Sequence, residues 1–151
     1  MPRTTTRRGA LVLLATALLT TGCAGGGTRS TEAAPSSAAA VLLEPAAFAD
    51  VVADDEAFVI NVHVPDEGSI EGTDAAIPFD RIEQQQADLP EDRRTPLAVY
   101  CRSGSMSAEA VAALTELGYA DIVDLEGGML AWTAEGRPLL PPGAGPGSDP
   151  G

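Results

Sequence analysis

The apolar residues of this chain fall into short blocks separated by stretches with helical periodicity. Residues 57–62 and Leu97–Tyr100 are almost continuously apolar. Such blocks are typical of parallel strands that are buried on both faces. Residues 121–125 predict a further short strand.

Helical patterns alternate with these strands. Apolar residues recur at helical spacing in four segments, namely Pro45–Ala53, 80–87, 107–117 and 128–136. Gly118 and Gly136 are suited to end the last two helices. Strands that alternate with helices of this length predict an α/β fold, a three-layer sandwich with a mainly parallel central sheet. In such sheets ligands bind at the carboxyl ends of the strands.

Both ends of the chain differ from this pattern. Residues 1–22 combine three arginines with an apolar run that is short for a membrane span, and Cys23 follows. This arrangement resembles a bacterial lipoprotein signal, which implies a lipid on Cys23. The alternative is an ordinary secretory signal with an incidental Cys23. We predict a lipidated cysteine and flexible tether at 23–40, a folded domain at 41–140 and a disordered tail at 141–151.

Charge narrows the range of partners. The 151 residues contain 9 basic and 22 acidic side chains, which gives a formal net charge of -13. Such an acidic protein is unsuited to binding nucleic acid or to electrostatic attachment to anionic lipid. Any membrane association would therefore depend on the lipid at Cys23, which would hold the domain on the extracytoplasmic face of the cell membrane.

The candidate chemistry lies in the loop that follows the strand Leu97–Tyr100. Cys101 is the first residue of that loop, and a helical pattern begins at Ser107. Backbone N–H groups of such a loop, together with the positive end of the helix, stabilise an anion. We therefore expect a lowered pKa and a nucleophilic thiolate at Cys101. The alternative is a buried structural cysteine.

Two separated motifs suggest a family. The segment 99–104 has the sequence Val-Tyr-Cys-Arg-Ser-Gly, and 124–132 has the sequence Asp-Leu-Glu-Gly-Gly-Met-Leu-Ala-Trp. In order and spacing, the chain from 41 to 140 resembles a single-domain rhodanese, which is a sulfurtransferase. The resemblance implies that Cys101 accepts sulfane sulfur from a small anion such as thiosulfate. The resulting persulfide would pass its outer sulfur to cyanide or to a thiol acceptor.

The resemblance also implies a substrate-binding loop and no metal or organic cofactor. The loop would surround the persulfide with backbone N–H groups of six residues, Arg102, Ser103, Gly104, Ser105, Met106 and Ser107. The chemistry needs only a thiolate and fixed hydrogen-bond donors. One histidine and two cysteines are also too few for a convincing metal cluster.

Two positions depart from the family pattern. Met106 stands where family members commonly have a basic residue, and His63 ends a segment that is commonly Asp-x-Arg. Arg102 is then the only charged residue of the loop, so attraction for dianionic thiosulfate should be weak. Arg102 either orients substrate or forms a structural ion pair. His63 either borders the pocket or is a hydrogen-bonded structural residue.

Other functions remain to be compared. A cysteine phosphatase needs the pattern Cys-x5-Arg, and here Ser107 occupies the arginine position. The phosphate clamp is therefore missing. A second alternative is a rhodanese-like module that carries or senses sulfur, or binds a partner, without catalytic turnover.

Overall fold

The computed structural model describes residues 40–146. The predicted signal at 1–22, the lipidation site Cys23 and nearly all of the tether lie outside this range, as do residues 147–151. Five strands and three α-helices follow one another along the described chain: β1 Val41–Leu43, α1 Pro45–Ala53, β2 Phe58–Asn61, β3 Ala75–Ala76, β4 Leu97–Tyr100, α2 Ser105–Glu116, β5 Ile122–Leu125 and α3 Gly128–Ala134. None of the described helices is long and apolar enough to cross a membrane.

The strands form one sheet in the order β1-β5-β4-β2-β3. Every neighbouring pair is parallel, with β4 in the centre. This arrangement confirms the predicted α/β fold with a parallel central sheet. Because all strands run in the same direction, the ends of β2 and β4 lie side by side, with Asn61 opposite Tyr100.

Side chains of β4 alternate between two apolar layers. Leu97 and Val99 pack in the layer that contains α2, and Cys101 continues this alternation just beyond the strand. Ala98 and Tyr100 pack in the opposite layer with residues of α1 and α3. Helices on both faces therefore explain why β4 has no polar face.

Segment 80–87, predicted as an α-helix, is the main difference from the sequence analysis. The structure has two 3-10 turns there, Phe79–Arg81 and Gln86–Asp88. The side chains of this region buried in the α2 layer include Ile82 and Leu89, seven positions apart. Two anchors at this spacing do not make the continuous apolar stripe that a packed helix needs.

One helix boundary and two short strands also differ from the prediction. Helix α2 begins at Ser105, two residues earlier than predicted, because Gly104 takes a left-handed conformation with φ of 101° and starts the helix there. Strands β1 and β3 were not predicted, because three and two residues are too few to show a strand pattern in the sequence.

The segment after α3 turns back onto the loop that follows β2. Ser69 and Leu140 exchange two backbone hydrogen bonds, of 3.1 and 2.7 Å. The N–H of Gly143 donates to a carboxylate oxygen of Asp66 at 2.8 Å. The first six residues of the predicted tail are thus described, and this hydrogen bond joins them to the loop.

Candidate active site

Cys101 lies between the carboxyl end of β4 and the start of α2. Its Sγ accepts a hydrogen bond from the backbone N–H of Gly104 at 3.0 Å. The left-handed conformation of Gly104 turns the chain sharply enough for this N–H to reach back to the sulfur. The Gly104 N–H is therefore one backbone donor of the loop that reaches the thiol.

The surroundings of the sulfur favour the thiolate. Burial raises the pKa of the Cys101 thiol, while the Ser107 hydroxyl and several backbone N–H groups lower it. The backbone donors belong to Ser107, Ser103 and Gly104, and the net shift of this pKa is downward. Only 1% of the Cys101 surface is exposed. A reactant therefore has a narrow approach to an otherwise activated sulfur.

Ser107 links the cysteine to a buried acid that the sequence analysis did not select. The Sγ of Cys101 lies 3.6 Å from the Ser107 Oγ, and that oxygen lies 3.0 Å from Oδ2 of Asp124. Asp124 is 3% exposed, and its Oδ1 has no hydrogen-bond partner. Since the hydroxyl carries one proton, it cannot donate to thiolate and carboxylate at once. The charge on Asp124 and the charge on Cys101 therefore compete for the same donor.

The glycine pair of the second motif holds the cysteine loop against α3. The N–H groups of Met129 and Leu130 donate to the carbonyl oxygens of Cys101 and Arg102, at 2.9 and 3.0 Å. Gly128 has φ of 60° and lies directly against this backbone. The motif thus positions the loop from its far side.

A carboxylate from the loop after β2 reaches the front of the site. Oε2 of Glu67 lies 2.8 Å from Nε of Arg102 and 3.0 Å from Nε2 of His63. The Nδ1 of the same His63 ring lies 3.4 Å from Sδ of Met106. Sequence reasoning missed Glu67, and its position follows from the adjacent ends of β2 and β4.

The predicted site residues differ in their exposure and in their contacts with Cys101. Ser107 is fully buried beside the sulfur, whereas Ser103 is exposed and acts on the sulfur through its N–H. Ser105 is an exposed residue at the start of α2. Arg102 takes part in an ion pair, and His63 is a hydrogen-bonded residue at the edge of a cavity of about 190 Å³. Within 40–146, no three His, Cys, Asp or Glu side chains are grouped so that they could hold a metal ion.

The fold and site define an α/β domain with an activated cysteine in a strand–loop–helix turn. Residues 31–135 match the family described as the rhodanese-like domain, and this match covers more than half of the chain. The chain therefore belongs to the rhodanese-like domain family. The family assumed from the two sequence motifs is confirmed.

Individual relatives are similar over part of the chain. A sulfurtransferase of Allochromatium vinosum is 36% identical over 66 residues, which cover 44% of this chain and 60% of the relative. The probable adenylyltransferase/sulfurtransferase MoeZ of Mycobacterium tuberculosis is 40% identical over 84 residues, covering 53% of this chain and 21% of that protein. The chain thus spans less than two thirds of the length of both relatives.

A solved structure supports the same fold. The crystal structure of a rhodanese-related protein from Thermoplasma volcanium is 30% identical, with a TM-score of 0.56. The similarity covers 66% of this chain and 97% of that protein. The core of this chain therefore has the size of a whole rhodanese-like domain.

The buried acid gives a pH prediction for stability. Burial raises the pKa of Asp124 to about 6 from 3.8, although hydrogen bonds from the Ser107 hydroxyl and the Leu125 N–H lower it. A raised folded-state pKa favours the protonated carboxyl, so its stabilising contribution is complete below pH 3.8 and is lost as the pH rises through about 6. Replacing Asp124 by asparagine should remove this loss.

Urea unfolding at pH 4 and pH 7 measures the effect. From pH 4 to pH 7, the unfolding free energy of the unmodified protein should fall by roughly 2 kcal/mol more than that of Asp124→Asn. Asp121→Asn, which changes an exposed carboxylate just before the same strand, is the control. Equal pH dependence in both variants would show that Asp124 is ionised freely in the folded protein.

Proposed function

We propose that this protein is a sulfurtransferase that moves sulfane sulfur from a small donor to a thiophilic acceptor through a persulfide on Cys101. The observation that supports this most directly is the N–H of Gly104, which lies 3.0 Å from Sγ and points at it. Family membership and the sulfurtransferase-named relatives support the same reaction class.

The chemistry takes two displacement steps. The Cys101 thiolate attacks the outer sulfur of a donor such as thiosulfate, a sulfur–sulfur bond forms at Cys101, and sulfite leaves with the electron pair of the broken bond. An acceptor such as cyanide then attacks the outer sulfur and restores the thiolate. Backbone N–H groups around the sulfur stabilise the negative charge in both states. No proton transfer to a separate base is required once the thiolate is present.

Intact mass spectrometry of the full chain tests the first step. Incubation with thiosulfate should add roughly 32 Da, the mass of one sulfur atom, and cyanide should remove the addition while thiocyanate forms. The rate of alkylation of Cys101 should also reach half its maximum at a pH below about 8.5, the ordinary pKa of a thiol. A protein without an adduct and with an ordinary thiol pKa would contradict the proposal.

A sulfur carrier, sensor or binding module is the second candidate. Two observations favour it, namely the 1% exposure of Cys101 and the ion pair that occupies Arg102. Both would slow turnover with a dianionic donor. A stable 32 Da adduct (roughly one sulfur atom) that cyanide does not discharge would identify a carrier.

We also propose that the lipid on Cys23 holds this domain on the extracytoplasmic face of the cell membrane. The support is the resemblance of residues 1–23 to a lipoprotein signal. The protein should then partition into the membrane fraction, and Cys23→Ser should release it. Retention of the variant in that fraction would contradict the lipid anchor.

A further inference from the structure

The electrostatics of the entrance to the Cys101 site differ from those of a site that attracts dianions. Arg102 is the only cation of the loop from 101 to 107, and its Nε is paired with Oε2 of Glu67 at 2.8 Å. Asp66, which directly precedes Glu67 in the loop after β2, adds another negative charge. The positive charge that would attract thiosulfate is thus already compensated.

Glu67 is held in place by the loop that carries it. Its Oε2 also contacts Nε2 of His63, whose side chain is only 7% exposed. The backbone N–H of His63 donates to Oδ1 of Asn61 at 3.0 Å, which ties the histidine to the end of β2. The residue directly before Glu67, Asp66, accepts hydrogen bonds from the N–H groups of Gly68 and Gly143. The Glu67 carboxylate is therefore fixed by His63 and Arg102, and its backbone is held through the hydrogen bonds of Asp66.

Apolar residues also occur next to the Arg102 backbone and the His63 ring. Leu130 is 49% exposed, and its N–H donates to the carbonyl oxygen of Arg102. Met106 is partly buried, and its Sδ lies 3.4 Å from the His63 ring. A carbon-bearing donor has an apolar contact at Met106, whereas the sulfonate end of thiosulfate meets an arginine that is already paired with Glu67.

We propose that Glu67 determines donor specificity at this site, so that Cys101 takes sulfur from singly charged, carbon-bearing sulfane donors in preference to dianionic thiosulfate. The donor class comprises organic persulfides, R–S–S⁻, and thiosulfonates, R–SO2–S⁻. This inference rests on the proposed sulfurtransferase function and specifies its substrate.

The transfer step is balanced without a further reactant. The Cys101 thiolate attacks the terminal sulfur of R–SO2–S⁻, a new sulfur–sulfur bond forms, and R–SO2⁻ leaves with the electrons of the broken bond. With a persulfide donor, R–S⁻ leaves in the same way. Total charge is the same before and after each step. Because the attacking group is itself an anion, each extra negative charge on the donor adds repulsion near Glu67.

Matched donors measure the charge preference. The full chain with Cys23→Ser, which leaves Cys101 as the single thiol, is incubated with thiosulfate or with benzenethiosulfonate, and sulfur loading is timed by intact mass. We expect faster loading from benzenethiosulfonate. Glu67→Gln should speed loading from thiosulfate about tenfold and from benzenethiosulfonate only about threefold, since the donor charges differ by a factor of two.

The control variant is Glu71→Gln. Glu71 is an exposed carboxylate on the same connection, so this change alters the net charge of the protein by the same amount. It should leave both loading rates within about twofold, because Glu71 lies with Val52 and Trp132 on the side of the sheet opposite Cys101. If Glu67→Gln and Glu71→Gln behave alike, or if Glu67→Gln changes both donors equally, the specificity assignment is wrong.

Alkylation separates this inference from the function on which it rests. The ratio of the rates with anionic iodoacetate and neutral iodoacetamide reports charge at the site without sulfur transfer, and Glu67→Gln should raise it about threefold. A raised ratio without loading from either donor would contradict the sulfurtransferase function and the donor class. Loading from both donors with an unchanged ratio would contradict the inference alone.

Discussion

Replacing Cys101 by serine is expected to stop sulfur loading, with a fall in rate of roughly a thousandfold or more. A serine hydroxyl is not ionised near neutral pH, and an oxygen–sulfur product is not the stable persulfide that the reaction requires. The fold should persist, because the serine oxygen is smaller than sulfur, fits the same space and can accept a hydrogen bond from the Gly104 N–H. Intact mass after incubation with a sulfane donor measures the loss.

The second cysteine provides the matched control. The chain contains two cysteines, so Cys23→Ser removes the other thiol and should leave sulfur loading unchanged. Circular dichroism of both variants would show whether the α/β fold is retained. If Cys101→Ser still gains one sulfur atom per chain and Cys23→Ser does not, the reactive thiol is Cys23 and the site has been assigned to the wrong residue.

Of the substitutions proposed here, Gly128→Ala is expected to lower the free energy of unfolding the most. A Cβ at this position would lie 2.5 Å from the carbonyl carbon of Arg102 and 2.6 Å from its oxygen, and closer still to the carbonyl oxygen of Cys101. These neighbours are backbone atoms, which cannot move aside as a flexible side chain can. The left-handed φ of 60° adds conformational strain for any residue with a Cβ. The combined cost should be roughly 2–4 kcal/mol of unfolding free energy.

The same change should also reduce the reactivity of the thiol. To relieve the overlap, the loop at Cys101 must move away from α3, and the N–H groups directed at the sulfur would move with it. We expect the pKa measured by alkylation of Cys101 to rise toward its ordinary value in Gly128→Ala.

Gly136→Ala separates strain from overlap. Gly136 also has a positive φ, of 77°, but an added Cβ there would meet no atom within 4 Å. It should cost about 1 kcal/mol and leave the thiol pKa unchanged. Urea unfolding and the pH dependence of alkylation measure both effects. A similar loss of stability in the two variants would show that the packing of Gly128 against the loop contributes little.

The position of the cysteine could be predicted because it depends on residues adjacent in sequence. A buried strand, a thiol, small residues and a helix define the turn without any distant contact. The predicted start of α2 is wrong by two residues, because the left-handed Gly104 caps the helix and lets it begin at Ser105 instead of Ser107. Ser107 is therefore free to place its hydroxyl between Cys101 and Asp124.

Glu67 and Asp124 could not be found in this way, because their roles depend on strand pairing. Asp124 lies opposite Val99 in the parallel register of β5 and β4. Paired residues on neighbouring strands face the same side of a sheet, so Asp124 faces the layer that contains Val99 and α2. Glu67 arrives through the loop after β2, which no local pattern places beside Arg102. Knowledge of the strand order would have indicated both residues.

The hydrogen bonds between Ser69 and Leu140, and between Asp66 and Gly143, have a practical consequence for how this domain is shortened or fused. The family match ends at residue 135, before either contact. A version trimmed to that boundary would keep all five strands and the thiol. It would lose the hydrogen bonds that hold the chain on both sides of Glu67, at Asp66 and at Ser69. We expect such a fragment to keep the α/β fold but to lose the preference between sulfur donors, so it would be unsuitable for measuring that preference.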